Sequence, residues 1–153
     1  MDKITQLLAE KFGYQTFRKG QAEIIAKILQ QEDVLGIMPT GGGKSICYQL
    51  PALVLDGLTL VVSPLISLMK DQVDSLNEMG IPATFVNSTL HISEIQQRLG
   101  RAARGEIKLL YIAPERLETA DFAELLRHVT IDLIAVDEAH CISEWGHDFR
   151  PEY

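Results

Sequence analysis

The chain has 153 residues, 46% of them hydrophobic, and a formal net charge of −7, enough for one globular domain with a buried core and too little for two. No apolar run approaches the roughly 20 residues that span a bilayer, and the first residues lack the basic and apolar regions of a secretory signal, so a soluble cytoplasmic protein without a membrane partner is expected. The acidic balance excludes nucleic-acid binding by bulk positive charge, so any such contact has to be local.

Residues 4–12 and 21–31 have helical periodicity and precede a first apolar run of strand length at 34–38. A helix over 45–55 follows, then strands at 58–63, 83–86, 109–113 and 131–136, separated by helices over 65–79, 93–104 and 120–128. Leu65, Leu68, Met69, Val73 and Leu76 share one face of the 65–79 helix, and Gly80 can supply its left-handed stop; Gly105 plays the same part after 93–104. Continuous apolar strands alternating with crossover helices predict an α/β fold, a mainly parallel sheet with helices on both faces and ligands at the carboxyl ends of the strands. The densest basic run, Arg98, Arg101, Arg104 and Lys108, reads as a solvated helix face. Cys47 and Cys141 form no disulfide framework and read as small apolar groups.

Two polar motifs each follow a predicted strand. The first, Pro39-Thr40-Gly41-Gly42-Gly43-Lys44-Ser45, looks like a P-loop opening a helix. Glycines let successive amides turn toward phosphate oxygens, Lys44 places a point charge on the terminal phosphates, and Ser45 can ligate Mg²⁺. The strict pattern has a glycine where Met38 stands here, which points away from small GTPases and toward the helicase type of loop. A glycine-rich turn needs no ligand, but that account leaves the lysine and serine at its exit unexplained.

The second motif runs from Asp137 to Tyr153. Asp137 is suited to hold Mg²⁺ directly or through water, and Glu138 to orient or deprotonate an attacking water. His140 is suited to relay between this pair and the loop that follows, because its ring can exchange hydrogen-bond partners on either side. Zinc ligation by His140, Cys141 and His147 lacks a fourth ligand at standard spacing. Trp145 and Phe149 offer flat faces for stacking bases, and Arg150 can meet a phosphate or reach back to the acidic pair. The competing account, an apolar stripe of Trp145, Phe149 and Tyr153 on a core-facing helix, is weakened by Gly146 and Pro151.

Five stretches taken together, 17–25, 38–45, 61–72, 110–117 and 137–153, resemble in order the motifs of RecQ-type DNA helicases of superfamily 2, almost from end to end. The resemblance implies a P-loop NTPase lobe of RecA-like fold that uses ATP and Mg²⁺, with Lys44, Asp137 and Glu138 at its catalytic centre and Thr40, Gly41, Gly42, Gly43 and Ser45 around the phosphates. It implies that Gln21 reads the adenine edge with Tyr14 and Arg18 beside the base, an amide being able to donate and accept at once. It further implies DNA contacts at Ser63, Pro64 and Lys70, at Pro114 and Arg116, and in the loop that carries Trp145, His147, Phe149 and Arg150.

The partners implied are single-stranded and partly duplex DNA, and a second RecA-like lobe that this chain does not contain. In such lobes the strand after the acidic motif lies between the phosphate-loop strand and the acidic-motif strand, so a truncated first lobe, little or no ATP turnover and marginal stability are expected of the chain alone. An RNA-dependent ATPase of the same superfamily and a non-catalytic nucleotide-binding module remain as alternatives. The parent activity expected first is a 3′-to-5′ ATP-dependent DNA helicase, nucleoid-associated if bacterial.

Overall fold

The computed structural model describes residues 2–18, 20–30 and 45–136. The predicted strand at 34–38, the phosphate loop up to Lys44 and the motif from Asp137 to Tyr153 lie outside the described residues.

Four strands, β1 (Leu58–Val62), β2 (Ala83–Val86), β3 (Leu109–Ile112) and β4 (Ile131–Val136), form one sheet in the order β2-β3-β1-β4, with every pairing parallel. Helices α1 (Asp2–Leu7), continued by a π turn at Leu8–Phe12, α2 (Gln21–Leu29) and α3 (Ile46–Val54) precede β1. Helix α4 (Ile66–Glu78) joins β1 to β2, α5 (Ile92–Ala103) joins β2 to β3, and a 3₁₀ turn at Pro114–Glu118 with α6 (Ala120–Leu126) joins β3 to β4. Predicted and observed bounds agree within two residues, except that the 4–12 segment is part α, part π.

The strand order explains the layering. From β1 the chain moves outward past β3 to β2, then reverses to β3 and crosses β1 to reach β4. Right-handed crossovers must change face when that direction reverses. Accordingly Met69, Val73 and Leu76 of α4 pack with Tyr48 and Ala52 of α3 against Val61, Phe85 and Leu109. Ile95 and Leu99 of α5 and Phe122 and Leu125 of α6 pack on the opposite face, against Leu60, Val62, Leu110 and Ile112. Burial of both faces makes β1, β2 and β3 continuously apolar or nearly so, as the runs in the sequence required.

Helix α3 is enclosed from two sides. Its residues Tyr48 and Ala52 face the sheet, while Ile46 and Leu50 meet Ile4, Leu8 and Ile25 of the N-terminal helices. Every residue from Ile46 to Ala52 is therefore buried, which accounts for its mostly apolar composition around the whole circumference.

Local signals end the helices where the sequence placed them. Gly80 has φ +82°, with Ile81 N–H on the Leu76 carbonyl and Gly80 N–H on that of Asn77. Gly105 has φ +78°, with the equivalent pair from Glu106 to Arg101 and from Gly105 to Ala102. Both are Schellman stops, in which glycine tolerates the left-handed backbone that a Cβ disfavours.

The basic run departs from expectation. Helix α5 stops at Ala103, so Lys108 lies beyond it and donates to the Leu55 carbonyl at 2.8 Å. Arg98 is half-buried; its guanidinium sits 4.5 Å from the Phe85 ring centroid and donates to the Phe85 carbonyl at 3.0 Å. Arg101 and Arg104 both pair with Glu106, and the hydrogen bond from Arg104 holds that carboxyl below the usual range. Intramolecular acceptors, not solvent alone, take up these cations.

Candidate nucleotide and nucleic-acid site

A shallow cleft is lined by Tyr14, Thr16, Arg18, Gln21 and Ile46. Its floor is fixed by Gln21, the first residue of α2, which is 2% exposed. The Gln21 side-chain carbonyl accepts from Arg18 N–H at 2.7 Å, and Gln21 N–H donates back to the Arg18 carbonyl at 3.0 Å. This reciprocal pair locks the amide's rotamer, a condition for reading a flat polar edge. Gly13 at φ +76° and Gly20 at φ +88° turn the chain into and out of the connecting segment. Tyr14, at the rim, is 49% exposed and offers an open aromatic face.

Ile46 ties this cleft to the phosphate loop, because it is the first residue of α3 and follows Ser45. The Ser45 carbonyl accepts from Gln49 N–H at 2.8 Å and begins the helix, while its hydroxyl makes no cap hydrogen bond. A serine hydroxyl at a helix start, not spent on the helix, suits a ligand to Mg²⁺. Cys47 beside it is buried, and burial pushes its thiol above the ordinary range, so it stays protonated and inert. Thr40, Gly41, Gly42, Gly43, Lys44, Asp137, Glu138, His140, Trp145, His147, Phe149 and Arg150 lie outside the described residues. Among the described residues no cluster of three or more His, Cys, Asp or Glu could hold a metal ion, and no helix is long and apolar enough to cross a membrane.

The segments that continue from β1 and β3 emerge on the carboxyl edge of the sheet. Ser63 is 4% exposed; its N–H donates to the Ile112 carbonyl at 3.1 Å and its hydroxyl accepts from Leu65 N–H at 3.2 Å. Ser63 therefore shapes the turn at Pro64. Beyond it Leu68 is 46% exposed, not on the buried face predicted for it. Lys70 also faces solvent and is paired with Asp74 at 2.6 Å. The Asp74 hydrogen bond holds the Lys70 ammonium above its ordinary range, and so exposed a pair exchanges readily for a phosphate.

Pro114 is buried at the first position of the 3₁₀ turn, where its missing N–H costs nothing. Arg116 points back into the fold and grips Asp121 with hydrogen bonds of 3.3 and 3.0 Å, while its Nε is buried without a partner. The resemblance implies DNA contact at these two residues; in the fold both hold the turn. Glu115 is the exposed member of the trio.

Sequence reasoning missed three buried polar residues beside the site. Gln49 Nε2 donates to the Tyr111 hydroxyl at 2.9 Å, and the Tyr48 hydroxyl lies 3.5 Å from the same oxygen, with the two rings edge to face. The available signal was the dipeptide Tyr48-Gln49 inside an otherwise apolar helix directly after the phosphate loop. It also missed Thr16 and Ile46 as cleft walls.

A profile of DEAD/DEAH box helicases matches residues 18–153. The chain is 54% identical over its whole length to the ATP-dependent DNA helicase RecQ of Bacillus subtilis, and 56% identical over 96% of its length to that of Haemophilus influenzae. It spans about a quarter of the length of these curated relatives, 26% and 24%. Its fold is similar to that of a hypothetical ATP-dependent RNA helicase from Sulfolobus tokodaii, with a TM-score of 0.73 at 23% identity, covering 95% of this chain and 44% of that one. The family match over most of the sequence, with relatives more than half identical across nearly all of it, settles the lineage: the chain belongs to the DEAD/DEAH box helicase family, and its relatives there are RecQ-type DNA helicases.

Proposed function

We propose that this chain is the ATP-binding part of the first RecA-like lobe of an ATP-dependent DNA helicase that moves 3′ to 5′ on single strands. The observation that carries the reading is the cleft of Tyr14, Thr16, Arg18 and Gln21, which opens onto Ile46 at the exit of the phosphate loop. A fixed planar polar edge, in a cleft that shares Ile46 with the end of the phosphate-loop motif, suits a purine nucleotide. In this reading Gln21 pairs with the adenine edge, Tyr14 and Arg18 flank the base, Thr40 to Gly43 wrap the phosphates and Lys44 neutralises their terminal charge.

Ser45 and Asp137 would hold Mg²⁺, which when bound offsets charge on the phosphates. Glu138 orients the attacking water and takes its proton. His140 links that site to the loop bearing Trp145, His147, Phe149 and Arg150, where bases stack and a phosphate is met. Leu68, Lys70 and the Pro114–Arg116 turn present the sheet's carboxyl edge to single-stranded or partly duplex DNA.

The test is ATP turnover by the full-length protein with and without single-stranded DNA or RNA, using Lys44→Ala as the blank. Stimulation by DNA that Lys44→Ala abolishes is the expected result. Greater stimulation by RNA, or ATP binding without any turnover, overturns it. The 153-residue chain alone is expected to bind ATP with little turnover, because a second lobe supplies groups worth roughly 10³–10⁵ in rate in related chemistry.

A further inference from the structure

Tyr48, Gln49 and Tyr111 are 8%, 6% and 1% exposed, on a face of the sheet filled mainly by apolar side chains. Burying an amide and two phenols there costs desolvation that aliphatic groups of similar volume would avoid. What directional hydrogen bonds add is a single arrangement, since apolar contacts alone tolerate sliding and rotation. The Gln49–Tyr111 bond spans 62 residues of sequence and joins two elements with different duties.

One of them is the first turn of α3, which begins at Ser45. Pro51 stands inside the same helix and has no N–H, so the i→i−4 bond from position 51 is missing from the turn that holds Tyr48 and Gln49. The other element is β3, whose last residue, Ile112, accepts from Ser63 N–H, while Ala113 N–H donates to the Val86 carbonyl. The Pro114–Arg116 turn continues from that strand end, and the Ser63–Lys70 segment, which continues from β1, is hydrogen-bonded to it through Ser63.

We propose that Tyr48, Gln49 and Tyr111 are positioning residues that set the first turn of α3, and with it the phosphate-loop serine, against the strand end that carries the DNA-facing segments. A shift at the sheet's carboxyl edge is then transmitted to the nucleotide through hydrogen bonds that hold one register. The inference rests on the helicase reading and goes beyond it by naming buried residues outside the proposed ATP and DNA contacts.

The test uses the full-length protein, with ATP turnover at saturating single-stranded DNA, turnover without DNA, KM for ATP and thermal midpoint measured together. Tyr111→Phe removes one hydroxyl. It is expected to lower the ratio of DNA-stimulated to basal turnover by at least about fivefold, the size of a modest coupling between sites. Basal turnover and KM are expected to stay within about twofold, since no contact to ATP is lost. Because the Gln49 donor then loses this acceptor, a second variant, Gln49→Met with Tyr111→Phe, makes the 49–111 contact apolar and leaves only the Tyr48 hydroxyl of the cluster; it should recover most of the lost thermal midpoint but not the stimulation ratio.

An unchanged ratio in Tyr111→Phe overturns the proposal, as does a ratio that returns with the midpoint in the double variant, because either would make the cluster merely structural. A wild-type protein that DNA does not stimulate at all overturns the helicase reading and this inference together. Normal wild-type stimulation with an insensitive Tyr111→Phe removes the inference alone.

Discussion

Single buried polar atoms show most directly what this fold tolerates. Thr59, the second residue of β1, is fully buried and its hydroxyl has no hydrogen-bond partner. A β-branched residue suits the strand, but the unpaired hydroxyl costs about 1–3 kcal/mol of lost hydration. Thr59→Val keeps the shape and removes the oxygen. It is expected to raise the urea midpoint at unchanged slope, by about 1 kcal/mol or more of stability; a lowered midpoint would show that the hydroxyl is satisfied in solution. Gln21 is the opposite case, a buried amide whose carbonyl is held by the Arg18 backbone N–H at the cleft.

At the scale of elements, the strands at the two ends of the described sheet order are treated differently. The outward groups of β2 are covered by side chains. Asn77 accepts from Ala83 N–H at 3.0 Å and donates to the Ala83 carbonyl at 3.2 Å, imitating a neighbouring strand, and Arg98 takes the Phe85 carbonyl. Such covering keeps an edge from pairing with another chain. Asn77→Ala leaves both Ala83 groups without these partners and is expected to cost about 1–2 kcal/mol in chemical denaturation. Asn77→Asp, which keeps the acceptor but sets a carboxylate against the carbonyl, should recover only part of that; full recovery would mean that the donor half is idle. Strand β4 begins with a bulge instead. Leu58 pairs with Ile131 and Thr59 with Leu133, so Asp132 is the extra residue, and its carboxylate accepts from Gly57 N–H at 2.6 Å. A side chain on Gly57 would come within 2.5 Å of the Thr130 carbonyl oxygen, which explains a glycine there.

Across the whole molecule, protection is unequal. Strands β1 and β3 are buried along their full length, whereas β4 is partly exposed throughout and Ile134 is 37% exposed. Native-state hydrogen exchange is therefore expected to be slowest at β1 and β3 and faster at β4, because opening free energy follows buried contact. Equal protection of all four strands would show that β4 is covered in solution.

The order of elements was legible in the residues because hydrophobic periodicity and glycine stops act over a few positions: the 83–86 and 131–136 strands and the stops at Gly80 and Gly105 coincide with the structure. The phosphate-loop pattern and the Asp137–Glu138 pair stand out in the sequence for the same reason, being adjacent residues, and the roles proposed for them lie outside the described structure. The side-chain environments were not. That Arg116 turns inward to Asp121, that Arg98 lies on Phe85 and that Lys108 serves the end of α3 depend on which surfaces the sheet brings together. By itself, then, the sequence determined an alternating α/β chain with a nucleotide motif and its helicase lineage. Tertiary structure alone decided the strand order, the face each helix covers and the meeting of Gln49 with Tyr111 or Gly57 with Asp132, since those contacts join residues 62 and 75 positions apart and no local pattern encodes them.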